Sequence, residues 1–260
     1  MSCPTCTARS PAVGAHAVEI TTFGADPPNR STRDHWGKVR MTVDAVLWDM
    51  DGTLLDSEKL WDIPLYEFAE KLGGTLSLET RHAMVGSNVA TTMALLFTEV
   101  GITPGDGDIE DGAAWIQRRT EEVFRAGLPW RPGAREALRA VRDAGVPMAL
   151  VTSTERQLTE VALDTIGRDL FDVTVCGDEV DGLNKPLPEP YLKAARLLGV
   201  DPTRCVAVED SPTGTTAAVA AGCTVLVVPC DLPVPEGERR VFRDSLVGVD
   251  HRTLAALLAR

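Results

Sequence analysis

The feature that most constrains the fold is a series of short apolar runs that alternate with segments of helical periodicity. The runs lie at residues 43–48, 147–151, 173–176, 205–208 and 224–228. Strands that are apolar at successive positions are buried on both faces, which is typical of a parallel sheet covered by helices. Connections between such strands are right-handed crossovers. The sequence therefore predicts an α/β fold with a doubly wound parallel sheet.

A long helical stretch separates the first two predicted strands. Residues 61–130 have mostly helical periodicity, beginning with the apolar positions Trp61 and Leu65. A simple crossover between two strands needs far fewer residues. We therefore expect an inserted α-helical cap domain at 61–130, with the core domain at 41–60 and 131–260.

The first 40 residues differ from the rest of the chain. They contain Pro4, Pro11, Pro27 and Pro28 and show no sustained helical or strand period. A segment that buries little apolar surface does not offset the conformational entropy of folding. We expect residues 1–40 to be a disordered extension.

Composition and charge limit the class of protein. Hydrophobic residues make up 44% of the chain, which allows a sizeable core, and the formal net charge of −12 disfavours nucleic acid and anionic membranes as partners. No apolar run approaches the roughly 20 residues of a membrane helix. The N-terminus has no basic stretch followed by an apolar run, so we expect no signal peptide. The last four cysteines lie in or beside apolar strands as expected for free thiols. We expect a cytoplasmic protein, as a monomer or weak dimer, with no nucleic-acid or membrane partner.

Acids, hydroxyls and a lysine follow the predicted strands. Taken singly, each of these groups fits a turn, a helix cap or a surface charge. Ligands of open parallel sheets bind beyond the carboxyl ends of the strands, so together these groups predict a site at one edge. The sequences after strands one, two and four are Asp49-Met50-Asp51-Gly52-Thr53, Thr152-Ser153-Thr154 and Glu209-Asp210-Ser211, and Lys185 lies in the loop after strand three.

These residue types suit phosphoryl transfer. A carboxylate is ionised at neutral pH, so Asp49 can attack phosphorus without a general base. Lys185 and Mg²⁺ can offset the repulsion from an anionic phosphate, and Mg²⁺ prefers oxygen ligands such as those of Asp49 and Asp210. Asp51 can protonate the leaving oxygen and later accept a proton from water. Thr152, with the backbone N–H groups of the following helix, can hold phosphate oxygens.

The four motifs resemble those of the haloacid dehalogenase-like hydrolase superfamily, in the branch of β-phosphoglucomutases and hexose- or hexitol-phosphate phosphatases. The resemblance covers about residues 43–230 and implies a Rossmann-like core with a cap that closes over the site. It implies that Asp49 is the nucleophile and a Mg²⁺ ligand. It makes Asp51 the acid and base, with its backbone carbonyl on the metal. It implies that Asp210 is a metal ligand, and that Glu209 either binds the metal directly or contacts a residue that does.

The resemblance assigns further roles in catalysis and substrate binding. Lys185 matches the third motif as a catalytic residue, and Thr152 matches the second motif. Ser153 matches the residue whose backbone N–H helps to hold phosphate. Gly86 and Ser87 are candidates for a substrate-binding loop of the cap, although a plain helix–helix turn fits the same residues.

The choice of reaction depends on three positions. The dehalogenases of the superfamily work without a second aspartate, so Asp51 favours phosphoryl transfer. The mutases have a histidine twelve residues after the nucleophile and an arginine in a cap motif, where this chain has Trp61 and Val89. We therefore expect a Mg²⁺-dependent phosphomonoesterase that acts through an aspartyl-phosphate on a small phosphorylated metabolite, with sugar phosphates as one candidate class.

Two other functions stay open. One is a phosphomutase of the β-phosphoglucomutase type, and the other is a non-catalytic binding protein of the same fold. Trp61 is expected to be an apolar hinge residue packed under the cap, with a contact to substrate as the alternative.

Overall fold

A computed structural model describes residues 42–259, apart from the side chain of Glu58. The predicted disordered extension at residues 1–40 lies outside the described residues. Within the described range a single parallel sheet forms the centre of the molecule, as the apolar runs predict. Its strands are β1 (Ala45–Trp48), β2 (Met148–Val151), β3 (Val173–Val175), β4 (Cys205–Glu209), β5 (Thr224–Val227) and β6 (Arg240–Phe242).

The order of the strands places the ends of three of them side by side. The sheet runs β3-β2-β1-β4-β5-β6, and all neighbouring strands are parallel. Trp48, the last residue of β1, pairs with Leu150 of β2 and with Val208 of β4. The carboxyl ends of β1, β2 and β4 therefore meet at the middle of one edge of the sheet.

The central strand explains the two layers around the sheet. All four residues of β1 are buried. Val46 and Trp48 belong to the apolar cluster on one face, and Ala45 and Leu47 belong to the cluster on the other. Side chains of a strand alternate between faces, so a strand that is apolar throughout needs helices on both sides. The doubly wound α/β fold is confirmed.

Helices cover both faces and continue above the strand ends. Several begin at side chains that accept a backbone N–H, such as Ser211, which accepts from Gly214 at the start of one of them. Among the described residues, no helix has the length and apolar character needed to cross a membrane. The helices are α1 (Glu58–Lys71), α2 (Leu78–Met84), α3 (Val89–Glu99), α4 (Asp108–Ala126), α5 (Ala134–Asp143), α6 (Arg156–Ile166), α7 (Glu189–Leu198), α8 (Pro212–Ala220) and α9 (His251–Ala255).

The four helices α1–α4, which we call the cap helices, surround an apolar cluster of their own that includes Phe68, Met93 and Leu96. The chain enters and leaves them at adjacent points, because Leu55 and Trp130 form an antiparallel bridge. Two backbone hydrogen bonds flank the bridge, from Asp56 N to Pro129 O (2.9 Å) and from Arg131 N to Leu54 O (2.9 Å). We call this paired segment the hinge. The exact domain boundaries stay a prediction.

Some element bounds differ from those that the sequence predicts. Helix α1 begins at Glu58 rather than Trp61, because its first two residues, Glu58 and Lys59, are polar and add nothing to the apolar periodicity. Strand β6 has no counterpart in the sequence analysis, since its three residues form a partly exposed edge strand without a continuous apolar run. Helix α9 ends at Ala255 and continues as a 3₁₀ turn.

Candidate active site

The strand ends bring the predicted acidic residues together. Asp49 follows β1 directly, Glu209 is the last residue of β4, and Asp210 comes next. All three are buried. The backbone N–H of Asp49 donates to the carbonyl of Val208 (3.0 Å), which extends the pairing between β1 and β4 to this point. The parallel register therefore sets the spacing of the carboxylates.

Lys185 lies among these acids as their counter-charge. Its Nζ donates to Asp49 Oδ1 (2.7 Å), to Glu209 Oε1 (2.7 Å) and to the carbonyl of Val151 (3.1 Å). Burial by itself lowers the pKa of Lys185, but the two carboxylates outweigh burial and raise this pKa above its usual value. The buried ammonium is therefore held charged and in a fixed place.

Glu209 is bonded through both of its carboxylate oxygens. Tyr191 donates its hydroxyl to Oε1 (2.6 Å), which also accepts from Lys185. Oε2 accepts from the backbone N–H of Asp210 (3.2 Å) and from the hydroxyl of Ser211 (3.1 Å). A Cβ at Gly214 would lie 1.8 Å from Oε1, so the start of α8 packs directly on this carboxylate. Glu209 therefore fixes Lys185 and the loop that carries Asp210.

The acidic cluster fits a hard divalent cation. One oxygen each of Asp49, Glu209 and Asp210 lie within 4.8 Å of one another. Asp49 Oδ2 is buried and has no hydrogen-bond partner among the described residues, as expected for an atom meant for another ligand. Burial first, and then the charge of Glu209, raise the pKa of Asp49 to about 7 against the opposing effect of Lys185. A bound cation would lower this pKa and favour the ionised carboxylate.

The loop after β1 wraps closely around Asp210. Gly52 has φ of +78°, and a Cβ there would lie 2.1 Å from Asp210 Oδ2. Thr53 donates its hydroxyl to Asp210 Oδ1 (3.3 Å). The glycine of the Asp-Gly-Thr sequence is thus required both for its left-handed backbone and for the close approach of the carboxylate.

Asp51 occupies a separate cage of donors. Its Oδ1 accepts from Ser57 Oγ (2.7 Å) and Trp61 Nε1 (3.2 Å), and its Oδ2 accepts from Thr152 Oγ1 (3.3 Å) and Thr154 Oγ1 (2.8 Å). Its side chain is not part of the acidic cluster. The predicted contact between the metal and the backbone carbonyl of Asp51 stays a prediction.

A cleft that is partly open to solvent lies between the strand ends and the cap helices. Ser153 Oγ donates to the carbonyl of Gly86 across it (3.3 Å), so the loop between α2 and α3 contacts the core. The structure places every predicted site residue except Glu209 on the wall of this cleft, and Glu209 lies directly behind it; the lining residues among them are Asp49, Asp51, Gly86, Ser87, Thr152, Ser153, Lys185 and Asp210.

Four further residues of the site are not among the predicted ones. Ser57 and Thr154 bond Asp51, and Tyr191 bonds Glu209. Trp61 packs its ring edge-on against Phe124 at 5.6 Å, as expected of an apolar hinge residue, and its N–H also bonds Asp51, while the alternative contact with substrate stays a prediction. The sequence signal for Ser57 and Thr154 is their nearness to predicted site residues, whereas Tyr191 resembles any apolar-face residue of α7.

Fold and site together define a class: a Rossmann-like α/β core in which a buried carboxylate–lysine cluster lies at the strand ends beneath a helical layer. The model of the family described as "haloacid dehalogenase-like hydrolase" matches residues 43–222. The chain belongs to the haloacid dehalogenase-like hydrolase family.

Curated relatives and a solved structure agree with this membership. The chain is 34% identical over 184 residues to a phosphorylated carbohydrates phosphatase of Thermotoga maritima, which covers 69% of this chain and 82% of the relative. It is 31% identical over 219 residues to hexitol phosphatase B of Escherichia coli O157:H7, covering 83% and 95%. The crystal structure of CbbY from Rhodobacter sphaeroides in complex with phosphate superposes with a TM-score of 0.72 at 28% identity, covering 80% and 96%. These similarities fit the β-phosphoglucomutase and hexitol phosphatase branch.

Proposed function

We propose that this phosphatase hydrolyses a small phosphorylated metabolite through an aspartyl-phosphate on Asp49, with Mg²⁺ as its cofactor. The supporting observation is the unequal state of the two oxygens of Asp49. Lys185 holds Oδ1, while Oδ2 is buried without a partner among the described residues. A carboxylate in this state is oriented by one oxygen and available to a metal ion or a phosphorus atom through the other.

The first step is attack by Asp49 on phosphorus. A bond forms between the carboxylate oxygen and phosphorus as the bond from phosphorus to the substrate oxygen breaks. Asp51, which lines the same cleft, delivers a proton to the departing oxygen, so an alcohol rather than an alkoxide leaves. Thr152 and the backbone N–H of Ser153 hold the phosphate oxygens during this step.

The second step is hydrolysis of the aspartyl-phosphate. Asp51, now a carboxylate, accepts a proton from a water molecule as the water attacks phosphorus. Inorganic phosphate leaves, and both carboxylates return to their starting states. The hydroxyls of Ser57 and Thr154 keep the position of Asp51 fixed through both steps.

The metal site comprises Asp49, Asp210 and the backbone carbonyl of Asp51, with Glu209 as a direct ligand or a residue behind one. When bound, Mg²⁺ supplies positive charge that offsets the repulsion between the carboxylates and the phosphate. Lys185 adds to that charge from the protein side, since both of its carboxylate contacts keep it protonated.

Sugar phosphates are the substrate class that the relatives suggest. One relative is named for phosphorylated carbohydrates and another for hexitols. We further propose a cytoplasmic location, supported by the free cysteines Cys176, Cys205, Cys223 and Cys230, and a monomer or weak dimer.

The test is phosphate release from a panel of phosphorylated metabolites with Mg²⁺ or with EDTA. We expect release that needs the metal and that is lost in Asp49→Asn and in Asp51→Asn. A burst of alcohol product ahead of phosphate in single-turnover experiments supports the aspartyl-phosphate. Activity near the wild-type level in Asp49→Asn would refute the assignment of the nucleophile.

A phosphomutase is the second reaction to test. The chain has Trp61 and Val89 where the mutases have histidine and arginine, so hydrolysis is the expected outcome. Incubation with β-glucose 1-phosphate and a bisphosphate activator distinguishes the two reactions. Isomerisation that is faster than phosphate release would favour the mutase.

A further inference from the structure

We propose that the leaving group of the preferred substrate carries an alkyl or aryl surface rather than a row of hydroxyls. The proposal rests on the phosphatase function above, concerns the part of the substrate that is not phosphate, and departs from the sugar phosphates that the names of the relatives suggest. It follows from the chemical character of one wall of the cleft, which the cap helices form opposite the catalytic residues.

Apolar side chains form most of that wall. Leu65 of α1, Met84 of α2, Val89 and Met93 of α3, and Ile116 of α4 all line the cleft. Each comes from a cap helix, and four of the five belong to the buried cluster between these helices. A molecule whose phosphate reaches Asp49 therefore extends toward a surface of methyl and methylene groups.

The polar side chains on this wall are already bonded to protein partners. Ser87 and Thr92 share a hydrogen bond between their hydroxyls (3.0 Å). The guanidinium of Arg81 forms an ion pair with Asp62 (2.5 Å). The amide nitrogen of Gln117 donates to acceptors at the start of α6 (3.3 and 3.5 Å). These contacts occupy hydrogen-bond donors of the wall, so fewer of them are available to the hydroxyls of a polyol.

Two effects on binding both favour an apolar leaving group. A hydroxyl that is buried without a hydrogen bond weakens binding by a factor of roughly 5 to 100. A methylene that is moved from water to such a surface strengthens binding about fourfold. Between two substrates with the same carbon chain, the one without hydroxyls is therefore expected to be preferred.

The experiment compares two phosphate esters of the same chain length. n-Butyl phosphate and erythritol 4-phosphate differ by three hydroxyls and carry the same phosphate. We expect kcat/KM for n-butyl phosphate to be at least about tenfold higher. We also expect kcat/KM to rise by up to about fourfold per methylene from ethyl to n-butyl phosphate.

A pair of matched variants locates the preference in the cap wall. Val89→Thr keeps the size of the side chain and adds one hydroxyl to the wall, and it is expected to lower the ratio of the two kcat/KM values about fivefold. Val247→Thr makes the same change at a residue that is 60% exposed and does not line the cleft, and it is expected to leave the ratio unchanged. A ratio within one preparation is independent of the fraction of folded protein.

The outcomes separate this inference from the proposed function. Equal or better turnover of erythritol 4-phosphate would overturn the apolar leaving group and leave the phosphatase intact. Phosphate release from no ester of the panel would overturn the phosphatase and this inference with it. A preference for n-butyl phosphate that persists undiminished in Val89→Thr would overturn the assignment of the preference to this wall.

Discussion

Replacement of Trp61 by phenylalanine tests how Asp51, the proposed acid and base, is held. The change removes the indole N–H that bonds Asp51 Oδ1 at 3.2 Å and keeps an aromatic ring against Phe124. A hydrogen bond to a charged group contributes about 1.5–3 kcal/mol. We take the lower end of this range, because the bond is long and three hydroxyls still hold the carboxylate. The expected loss is about tenfold in kcat/KM, which corresponds to about 1.4 kcal/mol.

The leaving group reveals whether the loss acts through Asp51. p-Nitrophenolate departs without a proton, whereas an alkoxide needs one, so Trp61→Phe is expected to impair alkyl phosphates more than p-nitrophenyl phosphate. Steady-state kinetics with both esters measure this difference. The free energy of unfolding, measured by urea titration, is expected to change by less than about 1.5 kcal/mol, because most of the ring packing is kept.

Trp115→Phe is the control for the aromatic substitution. Trp115 packs against Phe68 between the cap helices and does not line the cleft, so its variant is expected to keep wild-type kinetics. If Trp61→Phe keeps kcat/KM within twofold of wild type for alkyl phosphates, or impairs both esters equally, then Trp61 does not position Asp51 for proton transfer.

Three further predictions concern the acidic cluster. Lys185→Met removes the cation between two buried carboxylates, so it is expected to abolish phosphate release and to lower the free energy of unfolding by about 3–5 kcal/mol. A loss of less than about 1 kcal/mol in urea titrations would contradict the stabilising role of these ion pairs. Because the pKa of Asp49 is raised from 3.8 to about 7, the folded protein binds more protons than the unfolded chain in that window. In EDTA its free energy of unfolding should fall as pH rises from about 4 to 7, by up to about 4 kcal/mol more than in Asp49→Asn; parallel curves for the two proteins would exclude the shift. Gly52→Ala is expected to weaken Mg²⁺ binding at least about tenfold in calorimetric titrations, because its Cβ would lie 2.1 Å from Asp210. Gly101 has a similar φ and nothing within 4 Å of a Cβ, so the Gly101→Ala variant is expected to bind Mg²⁺ with wild-type affinity. Equal affinities in the two variants would exclude steric contact with Asp210 as the cause.

The sequence predicts the sheet and the acidic edge because both depend on local patterns. An apolar run identifies a buried strand, and parallel pairing then brings the residues after β1, β2 and β4 to one place. Asp49, Thr152 and Asp210 could therefore be assigned to one site before any distance was known. Strand β6 was not predicted, because an edge strand can pair without an apolar run.

The surroundings of these residues could not be predicted in the same way. The bond from Tyr191 to Glu209 depends on the rotation of α7 against β4, which no local pattern specifies. The bond from Trp61 to Asp51 depends on how α1 lies against the core. The apolar wall of the cleft depends on the mutual packing of all four cap helices, whose periodicity identifies an apolar face without telling which part of it stays open.

The hinge has a consequence for how such enzymes diversify. The chain departs from the core and rejoins it at paired residues, Leu55 and Trp130, so the intervening helices begin and end at nearly the same point. A segment with adjacent ends can be exchanged for another without redirecting the rest of the chain. Recombination could thus graft a new recognition module onto an unchanged catalytic half. To keep the bond from the indole of Trp61 to Asp51, the graft must begin after Trp61, although this residue lies on the first helix of the module.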